Sequence, residues 1–322
     1  MTDSYARWIV NNATKLKMKV EHLDWIGPFF PEIEDVHVII NINDKIYKGR
    51  GHSNTQDNAL KKAISEAVER IVGLEFAEST NGIASHFRLD LAKENARNEL
   101  IERDLFLCHF MTNTPFIFSR DLTNLIPEGV RSYISDEGDS ISIYSMRHNS
   151  IGKGLVCLIS GKDIWGGIVG LSFGTECDQQ LVVKATLEAF RLYWHRRSRK
   201  SLHSGLPIHK FLEQTSWTFV DHGNLCLNLE YFKSIQHLFS AEKKIETAAL
   251  VYYDLTEFSF EILSDKYSDL YDCPLYVVRC TSPYAQKLLA GPFNSENFSI
   301  EGLRRFTNNN EYHVNKLPHP VN

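Results

Sequence analysis

Apolar and polar positions alternate over 35–47, with Val36, Val38, Ile40 and Ile42 on one side of the register, and the run turns at Asn43-Asp44 into Lys45-Ile46-Tyr47. A period of two over that length predicts a half-buried strand and, with its turn, a hairpin. Gly49, Gly51 and Ser53 break the alternation. The apolar period then lengthens to that of a helix over 58–74 and again over 90–110, where Asp90 stands as an N-cap or first-turn acid. Between these helices the small residues of 79–85 read as a loop whose backbone amides can come close to a ligand. Strand-length runs recur at 115–119, 140–147, 154–160 and 165–173, followed by a third long helix over 178–197, a helix near 232–243 and strands at 248–253 and 275–281. Residues 1–34 are too short for a domain and read as a leading arm. With no low-complexity linker beyond them, 35–322 is expected to form a single α+β domain, its helices segregated from mixed or antiparallel sheets.

The two helical stretches carry one pattern twice. Ala59, Ala63, Glu66, Glu69 and Arg70 recur as Ala92, Ala96, Glu99, Glu102 and Arg103, all at an offset of 33 residues. At ~100° per residue, Ala59, Ala63, Glu66 and Arg70 share a narrow stripe, Glu69 sits beside it, and Leu60, Ile64, Ala67 and Ile71 form the adjoining packing face. The alanines are expected to leave room for a ligand. The third helix repeats part of the pattern at Ala185 and Glu188, and the flank of the second is more polar, with Lys93 and Arg97. A single Glu-x2-Glu-Arg helix is ordinarily a solvated face with pairs four residues apart. Two matched copies and a partial third favour a site. Converging carboxylates repel one another unless cations neutralise them. Arg70 and Arg103 supply some of that charge, and an all-oxygen donor set favours Mg2+, which implies a phosphate ligand.

Composition narrows the alternatives. The 322 residues are 43% hydrophobic and 23% charged, enough to bury a large core, and the net charge of -5 with a pI near 6.2 argues against a nucleic-acid-coating surface. Six cysteines stand without any C-x2-C pair, so reduced thiols are the expectation. The N-terminus lacks a secretory pattern and no window reaches the ~18 apolar residues of a membrane span, which reads as a cytoplasmic protein without membrane attachment. No G-x4-G-K-[ST] loop occurs, so a nucleotide would be held by another arrangement. His109, His148 and His209 lack ligand spacing and read as packed or surface residues. The basic run 195–200 reads as charge favourable to a helix C-terminus.

The chain resembles the YcaO family. The residues that carry the likeness are Gly49-Arg50-Gly51 leading into the Ala59 to Arg70 module, Asn81-Gly82-x-Ala84 leading into Glu99-x2-Glu102-Arg103, Leu181-x3-Ala185-x2-Glu188, and Val277-Val278-Arg279. The resemblance implies ATP-dependent activation of a peptide-backbone amide by O-phosphorylation, on long helices surrounding a nucleotide site. Within the family it points to the cyclodehydratase subunit of thiazole/oxazole-modified peptide biosynthesis, forming azolines from Cys, Ser or Thr of a bacteriocin-like precursor peptide. It would place Mg2+ at Glu66, Glu69, Glu99, Glu102 and Glu188. ATP would lie against Glu66, Arg70, Asn81, Glu99, Arg103, Arg279 and Arg191. Two features depart from the family pattern. Arg191 stands where a glutamine is usual, and the tail Pro318-His319-Pro320-Val321-Asn322 matches the family's proline-rich catalytic ending only in part. The implied partners are a ThiF-like leader-binding protein and, optionally, a flavin-dependent dehydrogenase. The rival readings are thioamidation with a TfuA-like partner and a non-catalytic nucleotide-binding scaffold.

Overall fold

The computed structural model describes residues 2–76, 81–147, 151–239, 253–264, 273–308 and 310–321. Asn322, His148, and parts of the stretches expected at 79–85, 232–243 and 248–253 lie outside them. In chain order the elements are α1 (Thr2–Asn12), β1 (Lys19–His22), β2 (Glu34–Ile42), β3 (Lys45–Ser53), α2 (Gln56–Phe76), β4 (Ile83–His86) and α3 (Leu89–Met111). There follow β5 (Ile117–Phe118), α4 (Arg120–Asn124), α5 (Glu128–Asp136), β6 (Ser140–Ser145), β7 (Lys153–Gly161), β8 (Trp165–Gly174) and α6 (Asp178–Ser198). The last are α7 (Ile208–Leu212), α8 (Phe219–Leu227), α9 (Leu229–Ile235), β9 (Ser259–Ile262), β10 (Tyr276–Thr281) and α10 (Ile300–Phe306).

Where the sequence suggests one domain after an arm, the contacts group the chain into two compact units. One comprises Met1–Leu100 with Phe258–Ser282, the other Ile101–Glu257 with Pro283–Asn322. The stretch before residue 35 belongs to the first unit, because Trp8 of α1 and Leu16 are buried in one cluster with Val36, Val38 and Ile64. All strand pairs among the described residues are antiparallel. The first unit holds the sheets β1-β2-β3 and β4-β10-β9, and the second holds the meander β5-β6-β7-β8.

The expected hairpin is β2-β3. Asn43 and Asp44 both take positive φ, 51° and 61°, the geometry of a tight turn whose twist matches its strands. Its apolar face, Val36, Val38 and Ile40, is fully buried. On β3 the inward positions after Tyr47 are Gly49 and Gly51, and α2 lies so close there that a side chain has no space. A Cβ on Gly51 would overlap the Ala59 carbonyl oxygen, and one on Gly49 the Ala63 carbonyl oxygen. Ala59, Ala63 and Ala67 are therefore buried completely in a helix-on-strand seam, and Ala92 and Ala96 of α3 are also fully buried. This corrects the expectation that the alanines leave space for a ligand. The second unit repeats the seam, with Gly170 of β8 against Ala185 and Ala189 of α6. The stretch expected as a loop before α3 contains β4, paired with β10 from Ile83↔Arg279 to His86↔Tyr276.

Core packing also fixes His109, which is 0% exposed and stacked on Phe116 at 4.6 Å. Its Nε2 accepts the Arg147 backbone N–H at 2.8 Å, so Nδ1 carries the proton and donates to Thr114 O at 2.9 Å. All six cysteines are free thiols, and Cys177 alone among them is exposed. The basic end of α6 is tied down at Arg197, which pairs with Glu137 and with Asp139 at 3.5 Å.

Two measurements check this packing. Gly51→Ala should lower the urea-unfolding free energy by about 1–3 kcal/mol, whereas Gly27→Ala, whose new Cβ would meet only Asp24 O at 3.6 Å, should change it by less than ~0.5 kcal/mol. Burial pushes His109 down to about 4. A histidine depressed in the folded state is protonated more readily in the unfolded chain, so stability should fall as pH drops from ~6.5 toward 4, by up to roughly 1.4 kcal/mol per unit. His109→Asn should flatten that dependence while lowering stability at pH 7.

Candidate functional site

Glu66 and Glu69 lie on the α2 face beside the seam, and each is fixed by a backbone amide. Glu66 Oε2 accepts the Arg50 N–H at 2.7 Å and its Oε1 pairs with Arg70 at 2.6 Å, while Arg70 also donates to Lys48 O at 2.8 Å. Glu69 Oε1 accepts the Ser85 N–H of β4 at 2.6 Å, and the Ser85 hydroxyl returns to Ser65 O at 3.1 Å. Arg50 itself is turned away, with Nε at 2.8 Å from the buried Asp35 carboxylate. Burial pushes Glu69 up to about 8, with the neighbouring Glu66 charge adding and the Ser85 bond opposing. A carboxylate so displaced gains from any cation brought near it.

Both acids open onto a cleft of about 500 Å3 inside the first unit. Lys61, Lys62, Asn58, Ser65, His86 and Asn95 share its walls. None of these six appears among the residues singled out from sequence. Lys62 was legible in principle, standing four residues before Glu66 on the same helical face, but such a pair reads first as a solvated one. In the structure Lys62 Nζ donates to His52 O at 3.1 Å.

The other first-unit candidates have defined places. Asn81 begins the turn into β4, followed by Gly82 at φ 72°, where a Cβ would crowd Cys280 O at 2.7 Å. Glu99 is half-buried on α3. Arg279 pairs across the sheet with Glu261.

The second unit gathers Glu102, Arg103 and Glu188. Arg103 lies 3.6 Å from Glu102 and 3.7 Å from Glu188, and all three side chains are less than one-third exposed. Glu188 Oε2 accepts the Leu171 N–H of β8 at 2.6 Å, the counterpart of the Glu66 bond to Arg50. Burial pushes Glu102 up to about 7; Glu188 adds to this, and Arg103 and Lys184 oppose it. Arg191, one turn beyond Glu188, is half-buried.

The tail packs inside the same unit. Tyr231 donates to Pro318 O, and the His319 ring stacks on His222 at 4.0 Å and lies 3.0 Å from Leu289 O. Pro320 and Val321 are buried. Burial, then His222 and Arg103, hold His319 near 3, too weak a base to take a proton at neutral pH. Among the described residues no three His, Cys, Asp or Glu side chains converge as a metal cage. No helix among them is long and apolar enough to cross a membrane.

No protein-family model and no curated protein sequence matches the chain. Solved structures do. The YcaO protein of Methanopyrus kandleri bound with AMPPCP and Mg2+ superposes with a TM-score of 0.59 at 14% identity, over 92% of this chain and 96% of that one. A heterocyclase in complex with substrate and cofactor gives 0.63 at 11% identity, over 97% of this chain but 57% of its own. The E. coli microcin synthetase McbBCD complex with pro-MccB17 bound gives 0.54 at 12% identity, over 83% of this chain and 88% of that one. The chain has the YcaO fold.

The shared carboxylate-to-strand bonds can be tested directly. Glu66→Ala and Glu188→Ala should each lose about 1–3 kcal/mol of unfolding free energy, because a partly buried strand amide is left without its acceptor. The Gln variants keep a carbonyl acceptor and should lose less than half as much, measured by urea unfolding followed by circular dichroism.

Proposed function

We propose that this chain is a YcaO-type enzyme that uses ATP and Mg2+ to activate peptide-backbone amides, most specifically as the cyclodehydratase subunit that closes azoline rings in a ribosomally made precursor. The observation that carries this reading is the cavity of the first unit. Its acids, Glu66 and Glu69, are held open by backbone amides beside Lys61 and Lys62, in a chain with the YcaO fold. The donor set fits the group. Its acids, Glu66 and Glu69, are hard oxygen ligands, and Mg2+ is ordinarily held by one or two carboxylates with phosphates and water completing the shell.

Bound there, MgATP would supply the phosphoryl group that turns an amide oxygen into a leaving group. The protein's own part is positioning and charge. Glu66 and Glu69 would face the cation. Arg70, Arg279 and Asn81 of the same unit, joined by Lys61 and Lys62, would meet the phosphates. The tail of the second unit, Pro318 to Val321, would supply no base, since His319 is held neutral. The precursor's Cys thiol, or a Ser or Thr hydroxyl, attacks the preceding carbonyl, and the net change is loss of one water from the peptide as ATP becomes ADP and phosphate. A ThiF-like partner would present the leader, and a dehydrogenase could oxidise the ring afterwards.

Mass spectrometry of a precursor peptide co-expressed with this chain and a leader-binding partner reads the outcome. Loss of one water per modified residue is expected, with ADP released in proportion, and Glu66→Gln should lower turnover by about 10²-fold or more while the protein stays folded. Exchange of oxygen for sulfur would move the assignment to thioamidation. Nucleotide retention without turnover, unchanged in the Gln variant, would reduce the chain to a scaffold.

A further inference from the structure

The end of α3 and the segment after α10, both in the second unit, border a second, polar cleft of about 360 Å3. Thr112, Thr114, Arg147, Thr307, Asn310 and His313 line it. Arg147 is only 9% exposed, yet no carboxylate among the described residues lies within 4 Å of its guanidinium; Glu311, the acid on the cavity lining, makes no ion pair with it. One Nη donates to Phe306 O, the ring of Phe306 covers the guanidinium at 5.2 Å, and Nε is buried without an acceptor. The backbone holds the side chain in place, since the Arg147 N–H is fixed on His109 Nε2.

A buried cation with an unmet donor is costly unless something anionic completes it. Nε itself is sealed off, so only the Nη protons not taken by Phe306 O can meet a ligand in the open space that Arg147 lines. Two neighbouring hydroxyls are already engaged: Thr112 Oγ1 donates to Cys108 O at 2.7 Å and Thr307 Oγ1 to Leu303 O at 3.0 Å, so neither has a proton left for an anion. Thr114 Oγ1 sits 2.7 Å from Thr112 Oγ1 and can swing its proton to a ligand for the exchange of one bond. Asn310 and His313 bring further donors at the rim.

We infer that this cavity is a binding site for an oxyanion, a carboxylate or phosphate group, with Arg147 as its charge partner. Carboxylate and phosphate present the same paired oxygens to a guanidinium. The space exceeds a bare ion, so the group belongs to a larger molecule.

The test is a thermal-shift and calorimetric titration of the full chain at constant ionic strength, with inorganic phosphate in one arm, N-acetyl-aspartate in another and chloride as the reference. A rise in midpoint and measurable binding in either of the first two arms is expected, and the arm that responds identifies the source. Arg147→Gln should weaken that binding about tenfold or more. Should Arg147→Gln fail to fold, Asn310→Asp, an exposed substitution that places a carboxylate on the rim, should weaken it comparably and decide the matter. Binding that persists unchanged in these variants, or no binding in the wild-type chain, overturns the assignment.

Discussion

The structure depends on a helix lying against a strand at a distance that only glycine and alanine allow. In the first unit α2 meets β3 through Ala59, Ala63 and Ala67 over Gly49 and Gly51; in the second α6 meets β8 through Ala185 and Ala189 over Gly170. At that separation a glutamate one turn along the helix reaches the strand's backbone, and Glu66 and Glu188 each take the amide next to the glycine, Arg50 and Leu171. Small residues set the distance, and the carboxylate fixes the register along the strand. Dispersion at the seam and one charge-assisted hydrogen bond thus act together.

Carboxylates on the same helix face carry the chemistry proposed for the chain. A glutamate that accepts one amide proton is oriented and still keeps acceptor capacity on its other side. Partial burial then raises Glu69 and Glu102, so both sit closer to neutral pH than an ordinary acid and would be driven to ionise by an arriving cation. Orientation comes from the fold and readiness from desolvation. A surface carboxylate would have neither.

Much of this was legible from the chain itself, and unevenly so. The β2-β3 hairpin and the three long helices follow from period and turn residues, whereas the echo of Ala63 and Glu66 in Ala185 and Glu188 read as part of a site and is a repeated seam in the structure. The alanines misled because helical angle alone does not distinguish a ligand-facing stripe from one pressed on a glycine strand; that takes the partner, and Gly49 and Gly51 read as breakers and as part of the family motif, not as the surface beneath the helix. β4 escaped because four residues are too few for a period and its partner β10 lies far along the sequence. Lys61 and Lys62 were hidden by their ordinariness, since helical lysines beside acids are usually solvated. Arg147 had no local signal at all, because having no acid beside it among the described residues is a property of packing.

The helix-on-strand seam also bears on how far such a chain can drift. Its requirement is negative: no atom beyond Cβ at a few helix positions, and no Cβ at the strand positions beneath them. A lineage can exchange nearly every other side chain while that void of atoms is kept, so descent in this architecture would be written in what is missing from the sequence more than in what is shared. That is consistent with overlays at 11–14% identity where no family pattern finds the chain.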